Sequence, residues 1–311
     1  MLVNLSRQKR CYSVIDVIAA HSTLAHAKSA LMDSANANRA YNTTRKPLDR
    51  PNNGTNIGLA QDLGSAAGTL EKNKMPPIRR FWRNVNVEER DGKFVVLLDK
   101  RPIKTPDGKI VQIPKRQAAL AWLVGGEWES QKELLGSHAL PLTSLLCRSI
   151  DGLSDPQVRA DVISKLLKYF QTDSACFHEE YPRVLVELQQ KHYTPIVEWA
   201  KSKYGIDIQT TTNIFALRQP PESTKDLRDA VSEFSPLKLA AFEKAVMTAK
   251  SFLIGLALVE QRISAEEAAM AAQVEANSQM QLWGELENAH DIDNAAIRQI
   301  LGASACAALE A

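Results

Sequence analysis

The spacing of apolar residues changes once along this chain, and that change restricts the folds that the chain can adopt. Between residues 82 and 113, apolar residues alternate with polar ones or form short runs, separated by the turn sequences Arg90-Asp91-Gly92 and Pro106-Asp107-Gly108. This pattern is typical of short antiparallel strands. From Lys115 onward the apolar residues recur at helical spacing. Strands followed by helices, without an internal repeat, predict an α+β fold with a small β-rich N-terminal domain followed by an all-α helical C-terminal domain.

Capping residues predict where several of the helices begin and end. Three predicted helix starts have a polar residue before a first-turn proline: Ser154-Asp155-Pro156, Thr194-Pro195 and Ser235-Pro236. A fourth start has the capping box Ser264-Ala265-Glu266-Glu267. Gly205 stands where the helix PIVEWAKSKY should end. Residues 206–221 are rich in β-branched side chains but close with two prolines, so we interpret them as a strand-like loop.

Two apolar segments of the helical region also lead to predictions. The first helical segment carries Ala118, Ala119, Trp122 and Leu123 on one face, and Gly125-Gly126 interrupts it at a cost in helix stability. The most hydrophobic segment, SFLIGLALVE, is much shorter than the roughly 20 apolar residues that a bilayer-spanning helix needs. We therefore expect no stable membrane insertion.

The N-terminal region has the composition of a targeting sequence. It contains Arg7, Lys9 and Arg10 and no acidic residue before Asp16, which is typical of a mitochondrial presequence, although a disordered basic tail has the same composition. The sequence around Cys11 also resembles a matrix processing site. From there to about residue 75 the chain is rich in Ala, Ser, Asn and Thr and is predicted to be a disordered linker. We thus expect a presequence and linker at 1–76, a β-rich domain at 77–150 and a helical domain at 151–311.

Charge and cysteine usage exclude some classes of protein. Beyond residue 50 the chain has 30 Lys and Arg against 33 Asp and Glu, so its composition gives no sign of a nucleic-acid-binding surface. The four cysteines are scattered, without a Cys-x-x-Cys spacing, and are predicted to be free thiols in a reducing compartment: Cys11, Cys147, Cys176 and Cys306.

A search for catalytic signatures gives a negative result. The chain has no nucleophile elbow, no glycine-rich phosphate or dinucleotide loop and no His-Glu-x-x-His helix. The His178-Glu179-Glu180 cluster is more typical of a solvated turn before Pro182 than of a metal site. We therefore predict no catalytic residue, no cofactor and no bound metal.

The stretch AQVEANSQMQLWGELENAHD, residues 272–291, is the remaining candidate site. If one helix continues through it, Glu275, Gln279 and Trp283 lie on the apolar face and Glu287 borders that face. A carboxylate that faces inward must be paired, hydrogen-bonded or exposed to a groove. Three interpretations follow: a polar pair that locks the helix to its neighbours, a groove that recognises another protein, or a small hydrolase that uses Glu275, Glu287 and His290.

Several segments in matching order, from about Arg79 to about Ser304, also carry a family resemblance. They are RRFWRNVNVEERDGKFVVLLDKRPIKTPDGKIVQIP, GGEWESQ, LPLTSLLCRSIDG, Thr172-Asp173 before SACF, YPRVLVELQQKHYTPIVEWAKSKYG and VEANSQMQLWGELENAHD. Together they resemble the mitochondrial ATP synthase assembly factor 2 family, whose members are chaperones of the F(1) α subunit.

The resemblance implies a function and a set of residues that carry it. It implies a mitochondrial matrix protein without enzymatic activity that binds the unassembled α subunit, prevents its aggregation and hands it on for assembly with the β subunit. Functional importance in the family attaches to Trp128 and Glu275, and Gln279, Trp283 and Glu287 also match the family pattern. Trp128 has a second interpretation as a core side chain. A binding module for another matrix protein is the alternative function.

Overall fold

The computed structural model describes residues 79–213, 217–285 and 291–309. The predicted presequence and linker, residues 1–76, lie outside these ranges. The chain divides into two compact units, Phe81–Gln131 with His138–Ala311, and Met1–Arg80 with Lys132–Ser137. In the second unit the structure describes one β-bridge, between Arg79 and Leu134, next to a 2.9 Å hydrogen bond from Arg80 N to Glu133 O. The domain boundaries at 76 and 150 stay a prediction.

The first unit begins with a small antiparallel sheet around one central strand. Its strands are β1 (Val85–Arg90), β2 (Lys93–Leu98), β3 (Arg101–Pro102) and β4 (Ile113–Pro114). β2 pairs with β1 along one edge, and β3 and β4 pair with its two ends along the other. The predicted hairpin is confirmed, with Asp91 and Gly92 at its turn in the left-handed conformation.

Helices follow the sheet to the end of the described chain, which confirms the predicted α+β class. They are α1 (Ala118–Glu129), α2 (Pro141–Asp151), α3 (Pro156–Gln171), α4 (Arg183–His192), α5 (Thr194–Tyr204), α6 (Pro221–Ser232), α7 (Pro236–Ala249), α8 (Phe252–Val259), α9 (Ala265–Ala272), α10 (Val274–Trp283) and α11 (Asp291–Ala308). Within the described residues no helix is both long and apolar enough to span a membrane.

Helix α1 packs on the sheet with a different face from the one that its sequence indicated. The predicted face is largely exposed, with Trp122 62% and Leu123 46% accessible, whereas Ala121 and Gly125 are buried. A Cβ at Gly125 would lie 3.0 Å from the Cγ2 of Val87 on β1. Close approach to the sheet thus explains the glycine at position 125, and the buried side of α1, which also contains Leu120, Val124 and Trp128, is not the face that the sequence indicated.

Most predicted helix ends are confirmed by capping contacts. The Asp155 carboxylate accepts from Gln157 N and Val158 N, the Ser235 hydroxyl accepts from Lys238 N, and Gly205 ends α5 at φ 64°. Ser264 and Glu267 form the predicted capping box. The predicted cap at Thr194 is wrong, because Thr194 is the first residue of α5, and Tyr193 before it has helical backbone angles and is the C-cap of α4.

The structure also tests the predictions for the loop before α6 and for the cysteines. The described part of residues 206–221 before α6 is a loop with one parallel bridge, between Thr211 and Phe177, as predicted. Within the described chain, Cys147, Cys176 and Cys306 are free thiols, also as predicted. Burial raises the pKa of the Cys147 thiol to about 12, so this thiol stays protonated and unreactive at neutral pH.

Helix α8 is the centre of the helical region. All eight of its residues are buried, and α3, α5, α7, α9 and α11 pack against it. A helix without a solvent-exposed face must satisfy its first N–H groups inside the protein. Ser251 caps it by accepting from Ile254 N at 3.1 Å.

The buried carboxylate of Asp173 completes this cap. It accepts from Leu253 N at 2.9 Å and from the Ser251 hydroxyl at 2.6 Å, and on its own side from Ala175 N at 3.0 Å. Burial raises its pKa to about 6, against the opposing effect of these hydrogen bonds. The predicted SFLIGLALVE segment is thus a core helix that one buried acid connects to the end of α3.

We expect Asp173→Asn to lower the free energy of unfolding by about 2 kcal/mol at pH 7, because an NH₂ group would replace one of the oxygens that accept these hydrogen bonds. Urea denaturation measures the change. Asp161→Asn, on the exposed side of α3, serves as the control and should change it by less than about 0.5 kcal/mol.

The stability of the wild type relative to Asp173→Asn should also depend on pH. The pKa of Asp173 is raised to about 6 from an ordinary value of 3.8, so the folded state binds the proton more tightly than the unfolded state. The resulting stability is complete below the unfolded pKa and is lost as pH rises through 6. Between pH 7 and pH 4 the wild type should gain about 2 kcal/mol relative to Asp173→Asn. A difference that does not change over this range would contradict the assignment.

Candidate functional site

Trp128 lies in the core at the junction of α1 and α2. Its side chain is 1% exposed, and its ring packs edge-on against Trp82 with centroids 5.1 Å apart. Its Nε1 donates to the Thr143 hydroxyl at 3.0 Å. The interpretation of Trp128 as a core side chain, left open by the sequence, is therefore the one that its burial supports.

Glu127, beside Trp128, caps the N-terminus of α2. Its carboxylate accepts from Leu142 N at 2.7 Å, from Thr143 N at 3.0 Å and from the Thr143 hydroxyl at 2.9 Å. Burial raises its pKa, and the hydrogen bonds from α2 act in the opposite direction. A negative charge at a helix N-terminus is also favoured by the helix dipole. The Glu-Trp pair thus fixes α1 to the first turn of α2, where Thr143 contacts both side chains.

The stretch that begins at Ala272 does not form one continuous helix. α9 ends at Ala272, and Gln273 has a non-helical backbone before α10 begins at Val274. Because this break changes the direction of the chain, a helical register counted across it assigns the wrong buried face. The face of α10 that is buried consists of Val274 and Ser278.

Glu275, Gln279 and Trp283 share one face of α10, and all three are exposed. Trp283 is 78% accessible and the neighbouring Leu282 45%. The prediction that Glu275 and Gln279 face inward is therefore wrong, and so is the interpretation of them as a polar pair that locks the helix. We call Glu275, Gln279, Leu282 and Trp283 the α10 surface.

Helix α10 packs against α4. Burial and the charge of Glu275 raise the pKa of Tyr193, the residue that follows α4, so the first turn of α10 lies near the C-terminal end of α4.

The described residues of this region offer no constellation for catalysis or metal binding. No group of three or more His, Cys, Asp or Glu side chains in the described ranges could hold a metal ion. His178 Nε2 lies 3.2 Å from Ala175 O, and Glu179 N donates to Gln189 Oε1 at 2.9 Å, so this cluster is used in local turn contacts. Glu287 and His290 lie outside the described residues.

One open cavity lies away from all of these residues. It has a volume of about 370 Å³ between the end of α8, the start of α9 and the end of α11, and Leu258, Ile263, Ala305 and Leu309 are among its lining residues. It contains none of the predicted site residues.

Sequence reasoning missed the two acids that organise the fold. Glu127 and Asp173 stand within the segments EWESQ and QTD that carried the family resemblance, but the local sequence around each is also typical of a surface acid. No local pattern indicates that each caps a helix in a different part of the chain. Their only signal was their place within the segments that carry the family resemblance.

Comparisons with known proteins give consistent results. A family model described as ATP12 chaperone protein matches residues 79–201. The chain is 32% identical over 238 residues to the mitochondrial protein atp12 of Schizosaccharomyces pombe, which covers 74% of this chain and 82% of that protein. It is 31% identical over 313 residues to the mitochondrial protein ATP12 of Saccharomyces cerevisiae, and the match covers 88% of this chain and 94% of that protein. The crystal structure of Atp12 from Paracoccus denitrificans matches with a TM-score of 0.64 at 28% identity, covering 74% of this chain and 97% of that one.

We expect Trp128→Arg to lower the free energy of unfolding by more than about 4 kcal/mol, because it places an unpaired charge in a fully buried site. Urea denaturation and soluble yield measure the loss. Trp122→Arg is the matched control on the same helix, where the side chain is 62% exposed, and should cost less than about 0.5 kcal/mol. Equal losses in the two variants would contradict the core assignment.

Proposed function

The chain belongs to the ATP12 chaperone family, and on that premise we propose that it binds the unassembled α subunit of the ATP synthase F(1) sector in the mitochondrial matrix. In this proposal it covers an α-subunit surface that would otherwise aggregate and releases the subunit for assembly with the β subunit. The related proteins of two yeasts are mitochondrial, which supports the compartment.

Family membership settles two of the predictions from sequence. The resemblance to the assembly factor family is confirmed, and so is the prediction that the chain is not an enzyme, because it belongs to a family of chaperones. A small hydrolase that uses Glu275, Glu287 and His290 is therefore no longer a candidate.

The observation that supports client binding most directly is the α10 surface. Trp283, at 78% exposure, and the neighbouring Leu282, at 45%, form an exposed apolar patch, and exposed apolar patches mark interaction sites on soluble proteins. Trp is among the residues that contribute most to binding energy at protein interfaces. Glu275 and Gln279 extend the same face with polar groups, so the surface combines an apolar anchor with a wet border.

The size of this surface suits a partner that must later be released. A few exposed side chains along a helix of ten residues form an area well below the roughly 1,600 Å² of a standard stable interface. An assembly chaperone has to hold its client more weakly than the final subunit contact does. The α10 surface supplies the central contact of such a moderate interface.

The direct test mixes the purified protein with unassembled α subunit and measures complex formation by size-exclusion chromatography and aggregation by light scattering. We expect a complex with α subunit and less scattering. Unassembled β subunit is the control for a general holder of unfolded chains. If the protein binds neither the α subunit nor the β subunit, while the Paracoccus protein captures the α subunit, the proposal is disproved. Capture of a different matrix protein in a pull-down would favour the binding-module alternative.

We expect Trp283→Ala to raise the Kd for α subunit at least about tenfold, because it removes the apolar anchor of the interface. Unfolding free energy should change by less than about 0.5 kcal/mol, since the side chain is exposed. Trp122→Ala removes an exposed tryptophan from α1 and is the matched control. Titration by fluorescence anisotropy measures both, and an equal loss of affinity in the control would contradict the assignment of the site.

Glu275→Ala should weaken α-subunit binding by about three- to tenfold without a loss of stability, because an exposed carboxylate at an interface border contributes modestly. Glu198→Ala, which removes an exposed acid from α5, should leave the Kd unchanged. A fall in melting temperature with normal binding would instead assign Glu275 to the fold.

A further inference from the structure

Helix α10 is anchored less firmly than the helices on either side of it. Only Val274 and Ser278 are buried among its ten residues, whereas every residue of α8 is buried. Its side chains form no hydrogen bond or salt bridge to any residue that the structure describes. Such a segment belongs to the part of a protein that opens most readily.

The helices on either side of α10 are fixed by side-chain contacts of a kind that α10 does not make to any described residue. α9 begins with a capping box, and its Glu266 binds Arg298 of α11 through two hydrogen bonds of 2.7 and 2.8 Å. Gln273, between α9 and α10, is hydrogen-bonded to Asn294 of α11. The chain is therefore held firmly up to the residue before α10 and loosely within it.

Helix α10 also carries a buried polar atom without a partner. Nδ2 of Asn277 is buried and has no hydrogen-bond partner among the described residues. A buried donor without a partner disfavours the closed arrangement, since water would satisfy it on opening. The docked position of α10 is thus disfavoured by its own Asn277.

Both ends of α10 have backbone conformations that allow a change of direction. Gln273 breaks the helix at its N-terminus, and Gly284 ends it at φ 88°, a conformation that other residues rarely adopt. Hinges consist of a few such residues at the ends of elements. α10 can therefore move as one segment while α9 and α11 remain in place.

Helix α4, against which α10 packs, is rich in aliphatic side chains. It buries only Gln189 fully, and Val184, Leu185, Val186 and Leu188 are half-buried. The residues that α10 itself buries are a valine and a serine. The seated helix shows which chemistry α4 accepts, namely a short amphipathic segment with small or aliphatic residues inward.

We propose that α10 is a displaceable cover over α4, and that an amphipathic segment of the α subunit takes its place when the client is captured. The inference rests on the proposed function for the identity of the client. The loose docking of α10 does not depend on the client. Displacement would let the client contact the aliphatic residues of α4 together with the freed α10 surface.

Hydrogen exchange of the full-length protein, read by mass spectrometry, tests the docking. Amides of 274–283 should exchange at least about tenfold faster than those of 265–272, because a weakly docked segment opens locally without global unfolding. Equal protection of the two segments would overturn the proposal.

Two leucine variants of α10 test the cause. Asn277→Leu removes the unsatisfied amide and should slow exchange of 274–283 by about tenfold. Gln281→Leu makes the same change of residue at an exposed position of the same helix and should leave exchange unchanged. Slowing in both variants, or in neither, would overturn the assignment of the weak docking to the buried Asn277 amide.

The rate at which the two leucine variants capture the α subunit tests whether α10 is displaced. Asn277→Leu should slow capture of α subunit by about the factor by which it slows exchange, whereas Gln281→Leu should not. Capture at the wild-type rate by both variants would overturn displacement. If the wild type captures no α subunit, the proposed function fails while the two exchange experiments still decide whether α10 is a displaceable helix.

Discussion

The buried hydrogen bonds of Asp173 are the interaction on which the helical region depends. A helix that is apolar on all sides, such as α8, can lie at the centre of a protein only if its first N–H groups have partners there. Ser251 supplies one such partner locally, and Asp173 supplies the other from the end of α3, far away in sequence. The cost of burying a carboxylate, visible in its raised pKa, is offset by the packing of five helices around α8.

The same device recurs at the junction between the sheet region and the helices. Glu127 on α1 caps α2 as Asp173 caps α8, and Thr143 joins this carboxylate to the indole of Trp128. α2 in turn packs against α7 and α11. The two acids thus connect the sheet, through α1 and α2, to the helices around α8. Both stand in segments that the family resemblance singled out, which agrees with a role in holding the fold.

Local chemistry explains what the sequence predicted well. Caps such as Ser235 and Ser264 and the turn at Asp91-Gly92 depend on residues within three or four positions, so the local sequence is enough to predict them. The face of α1 and the register of α10 depend on contacts far along the chain. Val87 selects Gly125 for the buried side of α1, and the break at Gln273 resets the register before Glu275. Neither effect has a local signal, and the error in register assigned the exposed Glu275 and Gln279 to the buried face. For the candidate site, the sequence identified the shared face of Glu275, Gln279 and Trp283 but not its exposure.

The junction at Tyr193 has a consequence for the energetics of recognition. This buried tyrosine ends α4 and precedes the first residue of α5 in helical conformation, so no flexible linker separates the two helices. Since α5 packs on the central helix α8, α4 is a preorganised platform at its C-terminal end. In the proposed exchange, the conformational entropy that changes on binding is then confined to α10 and to the arriving segment of the partner. A rigid docking face beside one short adjustable helix favours rapid, reversible association over tight binding, which is the kinetic behaviour that a transient holder of subunits requires.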